Sequence, residues 1–418
     1  MAPQRYFGVT LGTTLVLSLG IALANWSVDP LALRNTGQVM ERSTAVLSDT
    51  PRNFWHKAFA VTRLRPVSVI LGTSRAESGL DSSHPGFASS AQPVYNFGLG
   101  GASIEQIRML LIHAHRTRPL KQVVVALDLE AFLSAGRSDF DPAVLTGVKQ
   151  SEAKWLSLLR LNLSWHALAA TAASLRSPPI KPETAEPRLA QIGIPRSLWQ
   201  ELEGQRGLFR ATEFYNFHSR LPLLRFKQAG ADVPWNADSR RADALRSFKD
   251  LLSFARGEGI DLRLFISPVH ARYLEWYRLV GWWRLFESWK QALVEALAEA
   301  SGAGAHGKAF PLWDFSGFNN ITMEPVPLLG DLQTTMRWYR ESSHYSREHG
   351  NLLLDRVLGH TAARAPVTGE YGTLIDRHTI ERWLDQTRFD AYRFRAAFPA
   401  EVEEIEGFVS ILRRHSRR

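Results

Sequence analysis

Five short, largely apolar runs, the first of them rich in β-branched residues, limit this chain more than any other feature. Residues 66–71 end at Gly72, residues 94–97 run into Gly98-Leu99-Gly100-Gly101, and residues 122–127 end at Asp128. Residues 260–266 lead into Ser267-Pro268-Val269-His270, and residues 310–315 form the fifth run. Runs of this length and composition read as buried strands. Amphipathic helical patterns separate them, with Ile104, Ile107, Leu111 and Ala114 on one face and Ala242, Leu245, Leu252 and Ala255 on another. A repeated strand–helix alternation implies an α/β fold, a parallel five-stranded sheet with helices on both faces. Ligands of such sheets lie at the carboxyl ends of the strands. That directs attention to Ser74, Gly100, Gly101, Asp128, His270 and the segment after Phe315.

The alternation breaks at both ends and once in the middle. Residues 6–24 carry no charge, and nineteen such residues in a helix rise about 28 Å, close to the hydrocarbon thickness of a bilayer. Ala22-Leu23-Ala24 also fits a small-x-small cleavage site, so residues 1–25 read as a signal-anchor or a signal peptide. Either sends the remainder across a membrane. Residues 26–65 form a polar juxtamembrane segment, and residues 66–129 with 239–360 form the α/β domain. Between its halves, residues 130–238 read as an insertion or cap, with an apolar helical stretch at 155–168. Residues 361–418 read as a helical, basic tail ending Arg-Arg-His-Ser-Arg-Arg.

The 418 residues contain no Cys, which excludes disulfides, Cys-ligated metals and thiol nucleophiles. Fifty Lys and Arg against 41 Asp and Glu give a net charge of +9. No nucleic-acid-binding module accompanies that excess, so it reads as solubility or proximity to anionic lipid. No metal or cofactor is expected. Glu341, His344 and His349 lack a recognised metal-ligand spacing. Gly98-Leu99-Gly100-Gly101-Ala102-Ser103 has Ser103 where a dinucleotide fingerprint needs its third glycine.

Ser74, in Gly72-Thr73-Ser74-Arg75, stands where a hydroxyl is presented at a helix start. It reads either as a nucleophile or as the helix N-cap. As a nucleophile it needs a base. Glu341-Ser342-Ser343-His344 places a carboxylate three residues before an imidazole, a spacing that lets the carboxylate hold one ring nitrogen while the other faces the nucleophile. A solvated surface pair has the same spacing. Gly100 and Gly101 let backbone N–H groups approach a reacting carbonyl, or simply permit tight packing. His270 either touches substrate or donates to the backbone. Ala76 stands where a G-x-S-x-G elbow needs glycine, which argues against an α/β-hydrolase. Trp276, Trp282, Trp283 and Trp338 belong to the core or offer stacking surfaces for sugars.

Taken in order, these blocks resemble the SGNH (GDSL-like) hydrolase superfamily. Gly72-Thr73-Ser74 with Gly79-Leu80 is similar to its first block. Asn96-Phe97-Gly98-Leu99-Gly100-Gly101 is similar to its second, with Gly101 at the oxyanion glycine. Glu341 and His344 match its last, with Glu for the usual Asp. The resemblance implies a flavodoxin-like three-layer α/β/α fold and a Ser74–His344–Glu341 triad. With the N-terminal segment, the chain is similar to extracytoplasmic members that modify bacterial envelope polymers, such as alginate O-acetyltransferases and the D-alanine transfer protein of teichoic acids. That likeness implies a single-pass inner-membrane protein with its main domain in the periplasm. It also implies an acyl donor, a carbohydrate acceptor and a membrane-bound O-acyltransferase partner. The chain departs from the pattern at Asp128, where the third block carries the oxyanion Asn; Arg75 and His270 are candidate replacement donors. The competing expectation is a non-catalytic component that binds polysaccharide or organises an acyltransferase complex.

Overall fold

The structure, a computed structural model, describes residues 2–28, 52–137, 163, 167–168, 171–172, 209–210, 212–220, 235–302, 309–328, 331, 334–360 and 371–415. The chain divides into two compact units, residues 1–64 with 138–193, and residues 65–137 with 194–418. The stretch 130–238, read from the sequence as one insertion, is therefore split between them. Most of the helix expected at 155–168, and residues 416–418 of the basic tail, lie outside the described residues.

The first unit holds α1 (Ala2–Val28) and α2 (Arg52–Leu64). Within α1, Arg5–Ser27 is long and apolar enough to cross a membrane, with a mean hydropathy of 1.9 and its most apolar stretch unburied. Its Thr10, Thr13 and Thr14 hydroxyls each donate to the carbonyl four residues back, at 2.9 Å. That removes the main cost of carrying hydroxyls through an apolar medium. Near the end of the helix, Thr171 donates to the buried Asn25 side chain at 2.7 Å.

In the second unit the chain runs β1 (Ser68–Leu71), α3 (Ser74–Gly79), β2 (Val94–Asn96), α4 (Ile104–Thr117), β3 (Gln122–Leu127) and α5 (Leu129–Leu133). It continues α6 (Ser239–Gly257), β4 (Asp261–Ile266), α7 (Ala271–Leu279), α8 (Trp283–Gly302) and β5 (Leu312–Asp314). Then come the hairpin β6 (Tyr339–Glu341) and β7 (His344–Tyr345), α9 (Arg347–Leu358), β8 (Thr373–Leu374), α10 (Ile380–Ala397) and α11 (Pro399–His415). The main sheet has the order β2-β1-β3-β4-β5-β8. Its first five strands are parallel, and β8 pairs antiparallel with β5 through Trp313↔Leu374. Five parallel strands were expected. The sixth comes from the tail read as wholly helical, and two residues carry no alternation by which to recognise a strand.

Both faces of the sheet are buried, as parallel sheets require. On one face, Ile70, Val124, Ala126 and Phe265 pack with Leu353, Leu354 and Val357 of α9 and Ala76 of α3. On the other, Val69, Val123, Val125, Leu262 and Leu264 are buried on the side where α4, α6 and α8 pack together. Close backbone approach fixes where α3 sits. Gly72 has φ +150°, and a Cβ there would lie 2.7 Å from Ala76 Cβ and 2.9 Å from the Ala126 carbonyl. A Cβ at Gly350 in α9 would overlap the Gly79 carbonyl. The helix that opens on Ser74 is thus pressed against the helix that follows His344.

Candidate active site

Thr73 caps α3, its hydroxyl accepting from the Arg75 N–H at 3.4 Å, so Ser74 is the first helical residue. The cap is therefore not Ser74, and its side chain is left for another partner. Asn96, from the second block, holds the far end of α3 by donating to the Ala76 and Leu80 carbonyls at 2.9 and 2.8 Å. The Leu99 N–H donates to the Gly72 carbonyl at 2.9 Å and closes the glycine turn over the same loop. The β6–β7 hairpin brings up the third element, pairing Glu341 with His344.

These elements set Ser74 Oγ 2.8 Å from His344 Nε2. His344 Nδ1 is bonded to Glu341 Oε1, and the second Glu341 oxygen accepts from the Ser343 N–H at 2.8 Å. The His344 ring is one-fifth exposed, whereas Glu341 is buried. Burial works to raise the Glu341 carboxyl. The His344 ring, the Ser343 N–H and the Arg220 charge outweigh it and hold the carboxyl below the usual carboxylate range. A carboxylate held ionised fixes the imidazole with Nδ1–H towards Glu341 and a free lone pair on Nε2 towards Ser74.

Asp128 and Arg75, both expected beside the oxyanion, are committed elsewhere. Asp128 is buried; one carboxylate oxygen accepts from Arg75 Nη1 at 2.8 Å and the other from the Thr73 hydroxyl. Arg75 also reaches Glu130 at 3.1 and 3.3 Å, and donates to the Ser343 carbonyl at 2.9 Å and the Ser343 hydroxyl at 3.1 Å. Burial opposes ionisation of Glu130, but Arg75 and Arg220 outweigh it and hold that carboxyl far below its ordinary range. The Tyr273 and Tyr277 hydroxyls donate to the same Glu130 oxygen at 2.6 and 3.0 Å. Arg75 therefore ties the serine helix to the histidine hairpin.

The glycine turn lies beside Ser74. A Cβ on Gly100 would sit 3.6 Å from Ser74 Cβ. Gly100 donates to Glu77 at 2.9 Å and its carbonyl accepts from Arg137 at 3.0 Å, so the peptides on both sides of Gly100 are held. Gly101 is exposed with φ +72°.

His270 caps α7. Its Nδ1 accepts from the Arg272 N–H at 3.3 Å and its Nε2 donates to the Glu324 carbonyl at 2.8 Å. Burial pushes its pKa down to about 3, so it is a neutral structural group, the backbone-donating alternative of the two readings. His349 is spent likewise on Tyr371 and the Trp338 carbonyl, and no group of three metal-binding side chains occurs among the described residues. After Phe315, Ser316 is shared between Asp314 and Lys290, at 2.6 and 2.7 Å. Trp276 and Trp282 are fully buried, with Trp276 stacked on Phe217 at 5.1 Å, so neither offers a face to sugar. Trp283 and Trp338 are half-buried, Trp283 donating to Glu287 at 2.7 Å and Trp338 lying under Arg337. A groove of about 460 Å³ lined by Ser103, Phe132, Ser134, Arg240 and Asp243 includes none of the triad.

Sequence reasoning missed Ser343, Arg220 and Glu130. Ser343 lies inside the Glu-Ser-Ser-His block and was readable as a neighbour of the base. Nothing local marks Arg220 or Glu130. Comparison with protein families and with characterised proteins finds no match for the chain.

Proposed function

We propose that this chain is an extracytoplasmic, serine-dependent O-acyltransferase or esterase of the SGNH type. The observation that carries the reading is the continuous hydrogen-bonded chain Ser74 Oγ–His344 Nε2, His344 Nδ1–Glu341. Five parallel strands in the order β2-β1-β3-β4-β5, with the serine after β1, favour the flavodoxin-like arrangement that the resemblance implies.

Ser74 Oγ attacks the carbonyl carbon of an acyl donor while His344 Nε2 takes the hydroxyl proton. Glu341, ionised and buried, stabilises the imidazolium. The N–H of Ser74, at the first turn of α3, has no intrahelical acceptor and serves the oxyanion with the Gly101 N–H. The tetrahedral intermediate expels the leaving group, which carries off the proton from His344, and an acyl-serine remains. His344 then activates a sugar hydroxyl or water, which takes the acyl group and restores the Ser74 hydroxyl. Asp128 does not disturb this scheme, because Arg75 and Thr73 occupy both its oxygens. We read α1 as a single-pass anchor in a bacterial inner membrane, with the domain in the periplasm beside a membrane-bound acyltransferase and an envelope polysaccharide as acceptor. The long apolar helix supports the anchor.

The test is p-nitrophenyl acetate turnover by the detergent-solubilised chain. Ser74-dependent release of p-nitrophenol is expected. Turnover equal in Ser74→Ala would overturn the reading and favour a polysaccharide-binding role.

A further inference from the structure

Ser343, between Glu341-Ser342 and His344, is gripped on every polar atom. Its N–H donates to Glu341 at 2.8 Å, and its carbonyl accepts from Arg75 Nε at 2.9 Å. Its hydroxyl accepts from Arg75 Nη2 at 3.1 Å and from Arg220 Nη2 at 3.2 Å. Arg220 arrives from far away in sequence, at the end of the helical residues 212–219. It is itself fixed. Its Nε lies 3.5 Å from Glu130, its guanidinium stands 5.3 Å from the Tyr273 ring centre, and Nη1 donates to the Asn216 carbonyl at 2.8 Å. Arg75 stands over the same tyrosine, also at 5.3 Å. Two guanidinium groups, kept from repelling by Glu130 between them, thus close on one serine hydroxyl.

We propose that Arg220 is a positioning residue, supplied by the 209–220 segment, that acts through the Ser343 hydroxyl to hold His344 in line with Ser74. This rests on the serine-acyl reading above and adds to it a residue remote from the three reacting groups. The chemistry needs His344 Nε2 held to a fraction of an ångström, and a shift of about 1 Å can cost about 10²-fold in rate. Arg75 alone restrains Ser343 from the α3 side; Arg220 restrains it from the opposite segment. Lysine would keep the charge on a single nitrogen and lose the fork that serves Ser343, Glu130 and Asn216 together.

The experiment compares wild type, Arg220→Met, Arg220→Lys, Ser343→Ala and the double variant Arg220→Met/Ser343→Ala in the solubilised full chain. Turnover is read on p-nitrophenyl acetate, with thermal melting alongside. Arg220→Met should lower kcat by about 10–10²-fold with KM unchanged, and Arg220→Lys should recover part of it. The double variant should lose less than the product of the two single losses, because both changes break the connection through the Ser343 hydroxyl. Losses that multiply, or an unchanged kcat in Arg220→Met, would overturn the proposal. A second readout does not need turnover. The low-field proton of the His344–Glu341 hydrogen bond, assigned by its loss in His344→Gln, should broaden or vanish in Arg220→Met. Its persistence unchanged would overturn the positioning role, whereas Ser74-independent turnover would overturn only the reading on which it rests.

Discussion

The carboxyl end of β1 and the carboxyl ends of β3, β4 and β5 carry equally polar residues and use them in opposite ways. After β1, Thr73 takes the capping duty, and the Ser74 hydroxyl is left facing a half-buried imidazole. After β3, Asp128 is consumed by Arg75 and Thr73. After β4, His270 spends both ring nitrogens on backbone, and at the last residue of β5, Asp314 is shared by Lys290, Ser316 and Trp383. A polar residue at a strand end is reactive only when its neighbours leave a proton or lone pair unclaimed. Otherwise it is spent on holding the loops around it. Asp128 illustrates the second case, since its partners are the residues on either side of Ser74.

The sharpest way to break this comparison is at the base. His344→Gln should reduce Ser74-dependent turnover by about 10⁴-fold or more, and Glu341→Gln by about 10³–10⁴-fold, with melting little changed for His344→Gln. A His344→Gln enzyme within tenfold of wild type would place the proton elsewhere. Asp128→Asn separates the two regions. It turns an amide N–H₂ towards the Arg75 or Thr73 donors in a buried site and should cost about 1–3 kcal/mol of stability with no gain in rate. If the Asp128 charge instead opposed an oxyanion, the same change would raise kcat by about 10²-fold. The smallest effect is on pH. His270 and His349 are buried and neutral, with pKa pushed down to about 3 from 6.5. Below pH 6.5 the unfolded chain takes up protons that the folded chain refuses, so stability falls as pH drops towards 3 and is flat above 6.5. Glu341, held below its ordinary pKa, acts in the same direction at the lower end of that window. Urea midpoints on either side of pH 6.5 should show the loss, and His349→Gln should show less of it.

Much of the sheet was readable because each parallel strand is a short buried run followed by its own turn. The grouping of Ser74, His344 and Glu341 was readable for a related reason. Ser74 sits at a strand end, and Glu341 and His344 share one hairpin, so local spacing places both halves of the base. The remainder depends on distant approach. Arg75 could be expected near the site from its position beside Ser74, but its pairing with Asp128, Glu130 and Ser343 follows from how β1, β3 and the hairpin converge. What occupies Asp128, which stands where the resemblance places an oxyanion Asn, could not be read locally, because its partner Arg75 lies 53 residues away. Likewise β8 needs the β5 edge to exist at all, and whether Trp276 of α7 belongs to the core or offers a face to sugar is decided only by Phe217, which stacks upon it.

The decisive measurement is the intact mass of the full chain after brief exposure to p-nitrophenyl acetate, with Ser74→Ala and His344→Gln in parallel. Ser74 chemistry predicts one acetyl adduct on the wild type, mapped by peptide analysis to Ser74, and none on either variant. An adduct of equal yield on Ser74→Ala, or p-nitrophenol released equally fast by Ser74→Ala and the wild type, would contradict a serine acyl-enzyme.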